Sequence, residues 1–291
     1  METSELIKKV QKVQILTTHL VNDALAGNYT SAFKGTGMEF DKVREYQVGD
    51  DIRDIDWNVT ARSNHTHVKS YVEEREMTVM ILVDGSSSIQ FGSGEQSKME
   101  LASELSAVLA FSAIANNDKV GLVLFTDQID LYLPPKKGKS HVLRVIREIL
   151  SFEPKNSKTD IGMALEFLAR VQKRRSVAFL VSDYYDTDFD QTLNTASRKH
   201  DLISVKISDQ REVELPKMGL MRIEDAETGK QLLVDTSNPE VRALFKQKTE
   251  QHLNELDTSF KRRKIDSVSV QTNENYLMPL KLLFKKREKK R

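Results

Sequence analysis

The 291-residue chain is 39% hydrophobic and 30% charged, a composition that provides for a sizeable core and excludes disorder of the whole chain. Its 44 basic and 43 acidic residues leave a formal net charge of +1, so charge alone gives no attraction to nucleic acid or to an anionic membrane. The absence of cysteine excludes disulfides, thiolate metal sites and a cysteine nucleophile.

The N-terminal segment is predicted to be an amphipathic helix. Leu6, Val10, Val13, Leu16 and Leu20 recur at helical spacing and form one apolar stripe. The first residues are acidic and have no long apolar run behind them, unlike a signal peptide. No window approaches the roughly 20 apolar residues that a membrane-spanning helix needs. We therefore expect a cytoplasmic protein without a membrane span.

A charged region without a regular hydrophobic period follows this helix. Residues 39–57 are rich in Asp, Glu and Arg, which predicts loops and short strands rather than one regular element. Val68–Glu74 alternates between apolar and polar side chains, as an edge strand does. The composition changes near Glu76. We therefore assign residues 1–76 to an N-terminal helix with a charged accessory region.

From Met77 onward, predicted strands alternate with predicted helices. Continuous apolar runs such as Thr78–Val83 are typical of strands that are buried on both faces. The alternation predicts an α/β fold over residues 77–272, with a doubly wound, mainly parallel sheet and helices on both faces. The other predicted strands are Val120–Phe125, Ile129–Leu133 as its hairpin partner, Val177–Val181, Leu202–Ile207 and Ile265–Val270. The predicted helices are Leu101–Ser112, Val142–Leu150, Ile161–Val171, Phe189–Arg198 and a last one that begins at Asn238–Pro239.

Two further segments lie near the C-terminus. Leu220–Asp235 is predicted to be a hairpin that turns at Glu227–Lys230. Residues 273–291 form a basic C-terminal tail, because Lys281–Arg291 is mostly Lys and Arg. We interpret this tail as frayed and solvated, and contact with an acidic partner or a membrane surface remains the alternative.

Polar side chains are concentrated in three loops of the α/β region. Asp84, Ser86 and Ser88 follow the first buried strand, and Asp183 follows the third. Thr159 lies just before a predicted helix. Loops after parallel strands meet at one edge of an open sheet, and ligands bind there. If the Thr159 loop crosses the same edge, the three loops together supply two carboxylates and three hydroxyls.

This all-oxygen set suits a hard divalent cation. Mg²⁺ prefers six oxygen ligands and readily keeps water among them, and Mn²⁺ or Ca²⁺ takes similar donors. No His or Cys lies near enough in the sequence to indicate zinc. A protein that fills only some positions leaves one open for an acidic side chain of a partner protein. The structural alternative is that Asp-Gly-Ser after a strand forms only a tight turn and a helix cap.

These loops resemble the metal-ion-dependent adhesion site of von Willebrand factor A domains. Val83–Ser88 is similar to the first loop of that site, Lys158–Leu165 to its threonine loop, and Val181–Asp183 to its final aspartate. The family has Gly or Ala ahead of the threonine, whereas Asn156–Lys158 precedes it here. The resemblance implies a sheet of von Willebrand factor A type, with metal ligands Asp84, Ser86, Ser88, Thr159 and Asp183.

The region upstream resembles a bacterial family, domain of unknown function 58. Phe40, Arg44–Tyr46, Gly49–Trp57 and Ala61–Arg62 carry the resemblance, which extends from about Gly35 to the last strand. Members are typically encoded beside MoxR-type AAA+ ATPases. The resemblance therefore implies a scaffold or adaptor that works with a MoxR-like ATPase, with no nucleic acid as partner.

Signals for catalysis are few. The chain has neither a Gly-x-x-x-x-Gly-Lys phosphate loop nor a Gly-x-Ser-x-Gly elbow. A magnesium-dependent phosphatase of haloacid-dehalogenase type would use Asp84 as its nucleophile, but that chemistry needs an acid two residues later, where Ser86 stands. A domain whose metal loop is idle is a third possibility. We favour a non-catalytic, metal-dependent protein-binding module.

Overall fold

The computed structural model describes residues 3–20, 29, 32–33, 37–74, 76–154, 158–224 and 229–290. The chain divides into two compact units, one of residues 1–32 with 78–291 and one of residues 33–77. The boundary expected near Glu76 lies beside the end of the second unit. The N-terminal helix α1 (Thr3–Leu20), however, belongs to the first unit rather than to the charged region. Its Val13 is buried, and Lys9 forms an ion pair of 2.6 Å with Glu100.

The smaller unit is built on a two-stranded antiparallel sheet. Strand β1 (Gly37–Glu45) pairs with β2 (His67–Glu74), which confirms the predicted edge strand. The segment between them contains a 3-10 turn (Ile52–Asp54) and the short helix α2 (Trp57–Thr60). Arg44 holds this segment with a two-pronged bond to Asp50, at 2.6 and 2.7 Å.

The central sheet of the larger unit has six strands. The strands of this unit are, in chain order, β3 (Thr78–Asp84), β4 (Lys119–Phe125), β5 (Ile129–Lys136), β6 (Val177–Ser182), β7 (Asp201–Ser208), β8 (Leu220–Glu224), β9 (Gln231–Asp235) and β10 (Asp266–Gln271). The sheet runs in the order β10-β7-β6-β3-β4-β5, and only β5 is antiparallel to its neighbour. If the six strands are renumbered 1 to 6 in chain order, beginning with β3, the sheet read from β5 to β10 has the order 3-2-1-4-5-6. This is the strand order of a doubly wound sheet.

Strands β8 and β9 pair separately as the predicted antiparallel hairpin. Residues 225–228, which include part of its predicted turn, lie outside the described residues.

Helices cover both faces of the sheet, which confirms the predicted doubly wound α/β fold. They are α3 (Lys98–Ala115), α4 (Lys139–Leu150), α5 (Ile161–Val171), α6 (Asp190–Lys199), α7 (Gln210–Val213), α8 (Pro239–Arg262) and α9 (Leu277–Lys289). Met80 and Leu82 of β3 pack in one core cluster with residues of α5, α6 and α8. Since side chains alternate along a strand, Ile81 points to the opposite face, where α3 packs against β3.

The C-terminal segment is helical and partly buried as far as residue 289, so the expectation of a frayed, solvated tail is wrong. Residues 277–289 form α9, whose buried side chains recur at helical spacing. Leu280, Leu283 and Phe284 face the interior, and Arg287 continues the same stripe. The four lysines of the helix lie off this stripe, at positions 281, 285, 286 and 289, and they made the segment look basic throughout. Within the part of the chain described, no helix is both long and apolar enough to cross a membrane.

Arg287→Ala is expected to lower the free energy of unfolding by about 3 kcal/mol, because removing one partner of a buried ion pair leaves the other charge uncompensated. Arg287 is buried and contacts Asp266 at 2.8 Å as well as Asp201. Urea unfolding measures the change. The exposed Lys286, replaced by Ala, is the control and should shift stability by less than about 0.5 kcal/mol. Equal stability of the two variants would show that α9 does not anchor through Arg287.

Candidate functional site

The candidate site lies where the strand order of the sheet reverses, between β3 and β6. Val83 pairs with Val181, so Asp84 and Ser182 leave the sheet side by side. The buried carboxylate of Asp84 accepts hydrogen bonds from the Ser86 N–H at 2.9 Å and from the Ser182 hydroxyl at 2.7 Å. Each carboxylate oxygen therefore has at least one donor from the protein.

Two serine hydroxyls lie next to each other in the loop after β3. Ser86 is fully buried and its Oγ lies 3.1 Å from the Oγ of Ser88, which opens a 3-10 turn (Ser88–Gln90). Adjacent ligands of an octahedral Mg²⁺ lie roughly 2.9 Å apart, given metal–oxygen distances of 2.0–2.1 Å. The hydroxyl pair is thus spaced as two ligands of one ion would be.

Gly85 allows an aromatic ring to lie against this loop. A Cβ at this position would come within 2.3 Å of Cε1 of Phe152. The Gly85 N–H also donates to the carbonyl of Phe125 at 2.7 Å, which ties the loop to the end of β4. The glycine of the Asp-Gly-Ser sequence therefore leaves the space that the Phe152 ring occupies.

The Thr159 loop crosses the same edge of the sheet. The N–H of Asp160 donates to the carbonyl of Thr126, just past the end of β4, at 3.0 Å. The Asp160 carboxylate caps α5 by accepting from the N–H of Met163 at 2.7 Å. Thr159 is half-buried in this crossing segment.

The segment after β6 contains a strained residue. Asp183 is buried, and Tyr184 follows it with a φ of 62°. A left-handed conformation of a bulky residue costs about 1–3 kcal/mol and is found where the surrounding structure enforces it. Here the Tyr184 N–H donates to the Ser182 hydroxyl at 2.9 Å, and its ring packs edge-on against Phe260 at 5.3 Å. The turn thereby fixes Asp183 beside the end of β3.

The rim of the site is formed by side chains whose positions were not predicted from the sequence. Tyr185 is 44% exposed and its ring stacks on that of His252, with centroids 5.4 Å apart. Asp186 is half-buried and accepts from the N–H of Ile161 at 2.8 Å. It thereby provides an acceptor for one of the free N–H groups at the start of α5.

Lys98 and Glu212 were missed as neighbours of the site. Lys98 is fully buried, and its Nζ lies 2.7 Å from Oδ2 of Asp183 and 2.6 Å from Oε1 of Glu212. A signal was present, since Lys98 is the first residue of a helix capped by Ser97, where the helix dipole disfavours a cation. A lysine at that position needs acidic partners from elsewhere in the fold.

The charged side chains around the site shift one another's pKa values. Burial, together with repulsion from Asp183, raises the pKa of Asp84 to about 7 against the hydrogen bonds from Ser182 and Ser86. Burial opposes the charged form of Lys98, but Asp183 and Glu212 outweigh it and raise the pKa of Lys98 above its ordinary value. A further positive charge beside Asp84 would therefore stabilise its ionised form.

The side chains at this edge of the sheet can bind a hard cation only if serine and threonine hydroxyl groups are among its ligands. Among the residues described, no group of three or more His, Asp or Glu side chains is arranged to bind a metal. Asp84, Asp183, Ser86 and Ser88 nevertheless converge at one edge, and the Thr159 loop crosses that edge. Carboxylate and hydroxyl oxygens with room for water are the donor types that Mg²⁺ accepts.

The chain is similar to several known proteins. The uncharacterized protein Rv1480 of Mycobacterium tuberculosis is 28% identical over 228 residues, which cover 77% of this chain and 72% of that protein. Among solved structures, the conserved hypothetical protein BatB from Bacteroides thetaiotaomicron is 18% identical, covers 73% of this chain and 99% of its own, and gives a TM-score of 0.48. The SpRpn10 VWA domain is 13% identical, and the similarity covers 70% of this chain and 93% of that domain with a TM-score of 0.40.

A family model described as "Protein of unknown function DUF58" matches residues 42–255. The match covers most of the chain and includes most of the charged region and the α/β unit as far as residue 255. It confirms the resemblance to domain of unknown function 58. The chain therefore belongs to the DUF58 family of proteins of unknown function.

Proposed function

We propose that this chain is a non-catalytic protein-binding module that holds a divalent cation, Mg²⁺ or in its place Mn²⁺ or Ca²⁺. Its ligands would be Asp84, Ser86, Ser88, Thr159 and Asp183. The observation that carries the proposal is the placement of Asp84 and Asp183 at the ends of adjacent parallel strands, beside the paired hydroxyls of Ser86 and Ser88. When bound, the ion would offer an open coordination position to a carboxylate of a partner protein.

The neighbouring side chains support binding rather than catalysis. A phosphatase that used Asp84 as nucleophile would need a carboxylic acid two residues later, and that position is Ser86, which is buried against Ser88. Asp183 is buried and is held in an ion pair with Lys98. Both carboxylates are thus fixed by the protein, as suits a stationary binding site.

The rim gives a partner a surface to contact. Tyr185 is exposed, and His252 restrains its ring by stacking. The Nε2 of His252 donates to the carbonyl of Tyr184 at 3.2 Å, which restrains the histidine in turn. Tyrosine is enriched among interface residues that dominate binding energy, and a pre-ordered ring loses little entropy on association. We include Tyr185 in the proposed contact surface.

For the partner, we propose a MoxR-like AAA+ ATPase that presents an acidic residue. Support comes from membership of the DUF58 family, together with the association with such ATPases that the resemblance to this family implies. In this proposal the chain acts as a scaffold or adaptor.

The test is binding of a purified MoxR-like ATPase to this chain, by biolayer interferometry, in excess magnesium and in EDTA. We expect binding in magnesium and at least about tenfold weaker binding in EDTA or with Ser88→Ala, since a lost charge-assisted contact costs about 1.5–3 kcal/mol. Ser87→Ala is the matched control, because Ser87 is in the same loop and is not a proposed ligand. Equal binding in magnesium and EDTA would contradict the metal-dependent module.

A further inference from the structure

Lys98 places a cation inside the proposed metal site. Its ammonium is fully buried and contacts Oδ2 of Asp183 at 2.7 Å and Oε1 of Glu212 at 2.6 Å. The backbone that carries it is fixed, because Ser97 forms a capping box with Glu100 and the Lys98 N–H donates to the carbonyl of Phe91 at 2.9 Å. The flexible side chain beyond this anchor can redirect its charge while the helix stays in place.

The carboxylate of Asp183 can therefore pair either with Lys98 or with a metal ion. Asp183 is a proposed metal ligand, and its Oδ2 already accepts from Lys98, while its Oδ1 has only a long contact of 3.4 Å from the N–H of Tyr185. Glu212, in contrast, is an alternative partner for Lys98 that no metal role requires. Its side chain is 20% exposed, whereas that of Asp183 is 1% exposed. Lys98 can thus release Asp183 and still remain paired.

We propose that Lys98 is a tethered competitor of the metal, whose ammonium occupies Asp183 in the metal-free protein and pairs with Glu212 alone once a cation binds. Metal binding is then an exchange at Asp183 rather than the filling of a vacant site. The inference rests on the proposed function and adds regulation to the same site. It implies that Lys98 weakens cation binding, and that a partner's carboxylate is attracted by both positive charges.

The test compares Mn²⁺ affinity, measured by calorimetric titration, in the wild type, Lys98→Met/Glu212→Gln and Lys98→Arg. The double variant removes one positive and one negative charge together, so the net charge near the site is unchanged. We expect it to bind Mn²⁺ at least about tenfold more tightly, since the competitor for Asp183 is gone. Lys98→Arg keeps a cation on Asp183 and should bind within about threefold of the wild type.

The outcomes separate this inference from the proposed function. Binding by the wild type with equal or weaker binding by the folded double variant overturns the role of Lys98 and leaves the metal site standing. Binding by the double variant alone supports Lys98 as competitor and contradicts metal binding by the wild type. If neither chain binds Mn²⁺, both proposals fail.

A second measurement does not depend on the stability of any variant. A crystal structure of the wild type soaked in Mn²⁺ locates the ion from its anomalous scattering. We expect the Nζ of Lys98 to have left Oδ2 of Asp183 and to remain with Glu212. An ion on Asp183 with the Lys98 contact still at hydrogen-bond distance would overturn the exchange.

Discussion

Asp84→Asn is expected to abolish stabilisation by magnesium while making the metal-free protein more stable above neutral pH. In the metal-free protein the ionised carboxylate is buried and repelled by Asp183, so its pKa is raised to about 7. The neutral amide removes that repulsion and keeps an acceptor for the Ser86 N–H. It also removes the charge that would hold a cation. A gain in stability paired with a loss of binding is characteristic of a functional site.

The sign of the pH dependence follows from the raised pKa. The folded protein binds the Asp84 proton more tightly than the unfolded chain, so the metal-free wild type loses stability as pH rises from about 4 through about 7. Each pKa unit corresponds to about 1.4 kcal/mol. The Ser182 hydroxyl loses its acceptor in the variant, which offsets part of the gain. We expect a net gain of roughly 1–3 kcal/mol for Asp84→Asn at alkaline pH.

Urea unfolding in EDTA and in magnesium, at acidic and alkaline pH, measures both effects. The control is Asp188→Asn, because Asp188 is exposed and has a φ of 64° that asparagine accepts readily. The control should behave as the wild type in all four conditions. A variant at Asp84 that is still stabilised by magnesium, or that is less stable than the wild type in EDTA at alkaline pH, would contradict the assigned environment of Asp84.

Lys98→Met alone is expected to lower the free energy of unfolding in EDTA by about 3–5 kcal/mol, because it leaves Asp183 and Glu212 uncompensated in the interior. Excess magnesium should restore part of the loss, since a ligand that binds only the folded state stabilises it. The triple variant Lys98→Met/Asp183→Asn/Glu212→Gln removes every charge of the cluster. We expect its stability to lie near that of the wild type.

The measurement is again urea unfolding, with Lys139→Met as the control. Lys139 is also the first residue of a helix, but it is exposed. Its replacement should change stability by less than about 0.5 kcal/mol. If Lys98→Met were as stable as Lys139→Met, the buried ammonium would not be holding the two carboxylates.

Strands β3, β4 and β6 were predictable because both faces of each are buried, which gives each a continuous apolar sequence. Thr78–Val83 and Val177–Val181 are confirmed within one residue at each end, as β3 and β6. Strand ends also place Asp84 and Asp183 at one edge, because parallel neighbours end together. The role of these residues as metal ligands remains a prediction.

Contacts between distant segments were not predictable in the same way. Lys98 meets Asp183 and Glu212 across 85 and 114 positions of the chain, and no local period reports such a pairing. The basic C-terminal segment shows the same limit, because its helical stripe is short and is interrupted by lysines. The burial of Leu280, Leu283 and Phe284, and the partners of Arg287 in β7 and β10, show that the segment is packed.

Calorimetric titration of the wild-type chain with magnesium chloride tests the central claim most directly. We predict saturable binding of one ion per chain, lost in Asp84→Asn, weakened in Ser88→Ala and retained in Ser87→Ala. The absence of binding heat in the wild type, or undiminished heat in Asp84→Asn, would contradict a cation site at the edge between β3 and β6.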